Sequence, residues 1–155
     1  MPVSYFLKKK IGEDVLISAV VKANAYGHGI LDYVPIAEKC GINHFSVASS
    51  FEAEEVLEVK KPDTRVMIMG IIYDEDIEWA IEHEIEFYVY NYDRMLFVCE
   101  EAKRLNKTAH VHLEVETGAN RTGITRQELS KCLTLIKKCS DNIAFVGLCT
   151  HFGGA

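Results

Sequence analysis

A nearly continuous apolar run at residues 15–21 ends at Lys22, and a turn flanked by Gly27 and Gly29 follows it. Such a run is typical of a parallel strand that is buried on both faces. We expect a lysine at the carboxyl end of that strand to be largely shielded from water. Desolvation disfavours the ammonium form and favours a nucleophilic amine, the chemistry of a Schiff-base lysine. The alternative is that Lys22 has no chemical role, because strands commonly end at the protein surface and a lysine there is simply solvated.

Strand-like apolar runs alternate with helix-like segments along the chain. The predicted strands are Leu16–Lys22, His44–Ala48, Arg65–Gly70, Glu86–Tyr90, Ala109–Glu116 and Ile143–Thr150. The predicted helices are Ile30–Cys40, Phe51–Lys60, Asp74–His83, Asp93–Leu105 and Arg126–Lys138, and residues 3–11 resemble the end of an amphipathic helix. This alternation favours an α/β fold with a parallel sheet. An open doubly wound sheet and part of an eight-stranded barrel are both compatible with it.

Helix ends and charged faces add local predictions. Ser49, with Glu52 three residues later, predicts a capping box, and Asp93 and Thr125 are further candidate caps. One face of the second predicted helix is acidic, and we expect it to face solvent; it comprises Glu52, Glu54, Glu55 and Glu58.

Composition restricts the class of protein. The net charge is −6, and the 17 basic residues form no long stripe, which argues against nucleic-acid binding. The apolar run is too short to span a bilayer, and no segment resembles a signal peptide. The chain has five cysteines and no Cys-x-x-Cys pair, which indicates buried, reduced thiols and a cytoplasmic location.

The fifth predicted strand has one apolar and one polar face. Its polar face carries His110, His112, Glu114 and Glu116. In a barrel this face points inward, and because buried charge needs partners, it is a candidate site. An antiparallel strand with one wet face is the structural alternative. His-x-His also suggests a metal site, but both histidines lie near the strand's start, whereas barrel active sites lie at carboxyl ends, so we predict no metal.

Three motifs resemble one known family. Residues 20–29, Val-Val-Lys-Ala-Asn-Ala-Tyr-Gly-His-Gly, resemble the pyridoxal-phosphate attachment motif of alanine racemases. Related barrel decarboxylases share only a shorter Val-Lys-Ala/Cys-Asn core. The resemblance implies that Lys22 is catalytic and holds pyridoxal 5'-phosphate as a Schiff base, and that Tyr26 contacts its phosphate. It gives Asn24 and His28 no chemical role beyond shaping the turn.

The second and third motifs lie after the fifth and sixth predicted strands. Residues 116–123, Glu-Thr-Gly-Ala-Asn-Arg-Thr-Gly, are similar to the family's Asp-Thr-Gly-Met-Asn/Gly-Arg-Leu-Gly. The match implies that Arg121 contacts the cofactor's phenolic oxygen and the substrate carboxylate. Many members carry a lysine, often carbamylated, where this chain has Glu114, so we expect Glu114 to support Arg121 by pairing with it. The third motif, Gly147–Phe152, implies that His151 lies close to the cofactor ring.

The resemblance implies a partial (β/α)8 TIM barrel with about six of eight strands. Residues 1–155 would be the amino-terminal part of the cofactor-binding barrel, and we expect the family's carboxyl-terminal β domain to lie outside them. The implied function is interconversion of L-alanine and D-alanine for peptidoglycan. The implied assembly is a homodimer, in which a tyrosine of the partner subunit is the second acid/base group beside Lys22. We expect the isolated fragment to be inactive and poorly soluble or partly unfolded. A broader-specificity racemase, another barrel-type pyridoxal-phosphate enzyme and a non-catalytic remnant are the alternatives.

Overall fold

The computed structural model describes residues 3–152, which divide into two compact units between Ile71 and Ile72. The first unit contains α1 (Val3–Ile11), β1 (Ala19–Val20), a short helical turn α2 (Lys22–Tyr26), α3 (Ile30–Lys39), β2 (His44–Val47), α4 (Ser50–Val59) and β3 (Arg65–Ile68). The second contains α5 (Asp74–Glu82), β4 (Glu86–Val89), α6 (Tyr92–Leu105), β5 (Ala109–Glu114), α7 (Arg126–Lys138) and β6 (Ile143–Cys149).

Strands in each unit pair in parallel and in sequence order. In the first unit β1 pairs with β2, and β2 pairs with β3. In the second unit β4 pairs with β5 and β5 with β6, with an irregularity between Val111 and His112. A helix connects each strand to the next, so the predicted α/β fold with parallel pairing is confirmed.

The first strand differs most from its prediction. β1 contains two residues instead of the seven predicted, and the apolar run is not buried on both faces, since Leu16 before the strand is 47% exposed and Val20 within it is 38% exposed. β1 lies at an edge of the first unit's strands and β6 at an edge of the second unit's strands, where Leu148 is 58% exposed. The run is apolar in sequence, but β1 is an edge strand of its unit and pairs with β2 on one side, so its apolar residues are partly exposed.

Helix starts follow capping chemistry, with one correction. Thr125 caps α7 in a full capping box with Glu128. α6 is capped by Asn91, whose side chain accepts from the Arg94 N–H at 2.8 Å, so the prediction of Asp93 as the cap is wrong. Asp93 lies instead in the first turn, where a carboxylate stabilises the positive end of the helix dipole.

Each unit has its own apolar core. In the first unit Ile30, Phe45, Val47 and Val56 are completely buried between the strands and α3 and α4. The second unit's core consists of fully buried side chains from β4, β5 and the helices packed against them, Ile77, Phe87, Met95, Val111 and Leu113. None of the helices between residues 3 and 152 is long and apolar enough to cross a bilayer.

Candidate functional site

Lys22 lies where β1 ends. The preceding residue, Val21, is fully buried and donates its N–H to the Ser46 carbonyl at 2.9 Å, which attaches the strand end to β2. Lys22 itself is exposed. The prediction that this lysine is largely shielded from water is therefore wrong for this chain, because the strand it follows lies at an end of the strand order.

The turn after Lys22 has a left-handed backbone. Ala23, Asn24 and Ala25 have φ of 52°, and Tyr26 has φ of 55°. The left-handed region costs a non-glycine residue about 1–2 kcal/mol. Four such residues in succession persist only where surrounding contacts hold them, and such strain concentrates at functional sites.

Asn24 helps to hold this turn. Its side-chain oxygen accepts the Ile30 N–H at 2.9 Å, which satisfies a free donor at the start of α3. Within the turn, the Ala25 N–H donates to the Val21 carbonyl at 2.7 Å. The role assigned to Asn24, shaping the turn, is confirmed. Tyr26 is 63% exposed and lies at the end of the same turn.

Glu52 connects α4 to the Lys22 turn. One oxygen of its carboxylate accepts the Ala23 N–H at 2.7 Å, and the other accepts the Ala48 N–H at 2.7 Å. Ser49 caps α4 by accepting the Glu52 N–H, but the Glu52 side chain does not return to Ser49, so only half of the predicted capping box forms. Glu52 is half-buried, which corrects the expectation that it belongs to a solvated face.

Glu114 is buried at the end of β5, in the second unit. It is 2% exposed, and its carboxylate accepts the Thr122 hydroxyl at 2.9 Å. The predicted ion pair between Glu114 and Arg121 does not form among the described residues. Thr122, the next residue, faces Glu114 instead, and Arg121 is exposed.

Glu116 organises the loop that carries Arg121. Its two carboxylate oxygens accept the Gly118 N–H and, at 3.4 Å, the Arg121 N–H. The Gly118 N–H has the largest effect in lowering the pKa of Glu116, and the Asn120 N–H has the next largest. The Glu116 N–H donates to the Ile124 carbonyl at 3.1 Å, and this bond closes the loop.

The sequence did not point to a pair of tyrosines, Tyr88 on β4 and Tyr90 directly after it. Burial is the main cause that raises the pKa of Tyr88, and the nearby Cys149 is the next. Burial also raises the pKa of Tyr90, with Glu114 as the next cause, whereas Arg121 lowers it. Glu114 and Arg121 thus influence the pKa of Tyr90 in opposite directions. The available signal was the two-residue spacing of Glu86, Tyr88 and Tyr90 in the predicted strand.

His112, on the inward face of β5, contacts a carboxylate. Its Nε2 lies 2.7 Å from the carboxylate of Glu86 on β4, so this member of the polar face has its partner on the neighbouring strand. Between residues 3 and 152 no group of three or more histidine, cysteine, aspartate or glutamate side chains could hold a metal ion.

His151 follows β6 and is exposed. The preceding residue, Thr150, is anchored to the end of the fifth strand, since its hydroxyl donates to the Val115 carbonyl at 3.0 Å and lies 2.5 Å from the Thr117 hydroxyl. Within the second unit, the segments that carry Arg121 and His151 are therefore linked through Thr117 and Thr150.

Comparison with known proteins identifies the family. The family described as "Alanine racemase, N-terminal domain" matches residues 5–155. The alanine racemase of Treponema denticola is 33% identical over 148 residues, 94% of this chain and 38% of that protein. The alanine racemase of Clostridium tetani is 36% identical over 141 residues, 90% of this chain and 36% of that protein. The chain thus belongs to the alanine racemase family and spans less than two fifths of these relatives' length.

Solved structures give the same fold. The alanine racemase of Clostridium difficile superposes with a TM-score of 0.84 at 28% identity, covering 97% of this chain and 39% of that one. The alanine racemase of Bartonella henselae, described with covalently bound pyridoxal phosphate, has a TM-score of 0.86 at 21% identity, covering 97% of this chain and 43% of that one. The prediction of a partial barrel of the alanine racemase type is confirmed.

Proposed function

We propose that residues 1–155 form the amino-terminal part of the pyridoxal-phosphate-binding barrel of an alanine racemase, which interconverts L-alanine and D-alanine for peptidoglycan synthesis in the cytoplasm. The observation that carries this proposal is the position of Lys22, an exposed amine at the carboxyl end of a barrel strand, followed by a strained turn whose sequence matches the family motif. Barrel enzymes place their catalytic residues at such strand ends.

The side chains offered by the chain suit pyridoxal phosphate chemically. The Lys22 amine can bind an aldehyde, the Tyr26 hydroxyl can donate to a phosphate, and the Arg121 guanidinium can bind both a phenolate oxygen and a carboxylate. His151 would bind at the cofactor ring, and Glu114 would support the loop of Arg121 through its hydrogen bond with Thr122. When bound, the cofactor would supply an electron sink that makes the substrate's Cα–H bond acidic.

Racemisation removes a proton from one face of Cα and returns it on the other, so it requires two acid/base groups. Lys22 would exchange the proton on one face through its Nζ, while Arg121 orients the substrate by its carboxylate. The second group would come from the partner subunit of a homodimer, through the carboxyl-terminal part of the protein. Residues 1–155 alone are therefore expected not to racemise alanine.

Reductive trapping tests the proposal. The chain is mixed with pyridoxal 5'-phosphate and reduced with borohydride, and the modified lysine is mapped by mass spectrometry. We expect selective labelling at Lys22, with none at that position in Lys22→Arg and unchanged labelling in the control Lys10→Arg, on the exposed end of α1. Labelling spread evenly over the exposed lysines would contradict a preformed site.

A broader-specificity racemase is the second candidate. The observation that favours it is Glu114, which occupies the position of a lysine in many members and is bound by Thr122 and not by Arg121. Among residues 3–152, the Arg121 guanidinium thus forms no ion pair with Glu114, the partner expected beside it. A panel of amino acids assayed with the complete protein would separate the two, since preference for alanine by less than about tenfold would favour the broader enzyme.

A further inference from the structure

We propose that Glu52 is a positioning residue for Lys22, which holds the backbone of the Lys22 turn against β2 through two hydrogen bonds from one carboxylate. The inference rests on the proposed function for the role of Lys22. It assigns Glu52 no contact with the cofactor or substrate, and it concerns the first unit alone.

The geometry of the carboxylate carries the inference. The Ala23 N–H belongs to the residue directly after Lys22, and it reaches one Glu52 oxygen at 2.7 Å. The Ala48 N–H directly follows β2 and reaches the other oxygen at 2.7 Å. A single side chain therefore joins the backbone beside Lys22 to the end of the neighbouring strand.

The strain of the turn explains why such a link is needed. The left-handed stretch begins at Ala23 and ends at Tyr26, before Gly27. Glu52 attaches the near end of the stretch, at Ala23, to α4, and the side chain of the next residue, Asn24, attaches it to α3. Without the near attachment, the backbone at Ala23 is free to relax toward a right-handed or extended conformation, which would turn the Lys22 side chain in a new direction.

Glu52→Gln tests the link because it keeps the shape of the side chain but leaves one carbonyl oxygen and one NH2 group. Only one of the two backbone N–H groups can then donate to it. In hydrogen exchange followed by NMR, we expect the Ala23 or the Ala48 amide to exchange about tenfold faster, as loss of a bond to a charged acceptor implies. The Val21 amide, bonded to Ser46, serves as the internal control and should not change.

Glu54→Gln is the matched control, since Glu54 is exposed on the same helix. It should leave all these amides unchanged. Unchanged protection of Ala23 and Ala48 in Glu52→Gln overturns the proposal. Unprotected Ala23 and Ala48 amides in the unsubstituted chain overturn it as well, whether or not the variants fold.

The functional half of the proposal is tested by the rate at which pyridoxal phosphate labels Lys22, relative to Lys10 in the same sample. We expect this ratio to fall about tenfold in Glu52→Gln, because small displacements of a reacting group cost at least that much. Glu54→Gln should keep the original ratio, and an equal ratio in Glu52→Gln would overturn the positioning role. Selective labelling of the unsubstituted chain tests the proposed function separately, so the two failures are distinguishable.

Discussion

The Thr122 hydroxyl donates a 2.9 Å hydrogen bond to the carboxylate of Glu114, which is only 2% exposed. The end of β5 is thus held by the loop that follows it. Because the donor comes from the residue beside Arg121, the buried carboxylate fixes the arginine's loop through the chain and not through an ion pair.

Thr122→Val should destabilise the chain by about 1–3 kcal/mol, because it keeps the side-chain shape but removes a donor from a buried carboxylate. Thr122→Ser keeps the hydroxyl and should cost less. Urea unfolding of both variants and the unsubstituted chain measures the difference. Equal midpoints for Thr122→Val and the unsubstituted chain would show that another group satisfies Glu114.

Glu116 should titrate below the ordinary carboxyl range, because the Gly118 N–H lowers its pKa. A carboxylate with a depressed pKa stabilises the folded loop above its unfolded-state pKa of about 4.3, and this stabilisation is lost as the pH falls through the folded-state value. The Gly118 amide shift, followed by NMR, should therefore show a midpoint below about 4.3. Glu116→Gln should abolish the transition, and a midpoint above the ordinary value would contradict the loop geometry.

Thr125→Ala should cost about 1 kcal/mol, since it removes the side chain that caps α7. The Thr125 hydroxyl is also the largest influence that lowers the pKa of Glu128, so that pKa should rise toward its ordinary value in the variant. Urea unfolding and an NMR titration of Glu128 measure the two effects. Thr125→Ser, which retains the cap, should show neither effect. If the pKa of Glu128 rose as much in Thr125→Ser as in Thr125→Ala, the hydroxyl would not be the cause.

The cysteines should differ in reactivity. Burial, the largest influence, raises the pKa of Cys149 to about 11, so only about one thiol in a thousand is ionised at pH 8. Cys40 is exposed, which corrects the expectation that every thiol is buried. Iodoacetamide at pH 8, followed by mass spectrometry, should modify Cys40 well before Cys149. In urea, we expect Cys40 and Cys149 to be modified at equal rates. Equal rates in the native chain would indicate that Cys149, at the end of β6, is accessible to the reagent.

The regular elements were largely readable from the sequence. The prediction for α7, Arg126–Lys138, is confirmed residue for residue, because an amphipathic repeat and a capping box specify both its face and its start. β4 differs from its prediction by one residue. These elements depend on local patterns, which a single sequence contains.

The sequence did not reveal in which direction particular side chains point, or where a strand lies in the strand order. Acidic residues on α4 look alike in the sequence, and only the folded chain shows that Glu52 turns back toward Ala23 while Glu54 faces solvent. Likewise, a one-residue difference in the loop decides that Thr122, and not Arg121, faces Glu114. Apolar composition also cannot show that β1 lies at an end of the strand order.

The left-handed turn after Lys22 has a consequence for protein engineering. Its conformation is imposed from outside, by the Glu52 carboxylate and by the start of α3, and not by glycines within residues 23–26. A peptide of residues 20–29, or the same motif transplanted onto a foreign strand, should therefore lose this backbone conformation. The motif by which the family is recognised is a portable sequence, but its three-dimensional shape is not portable without α3 and α4.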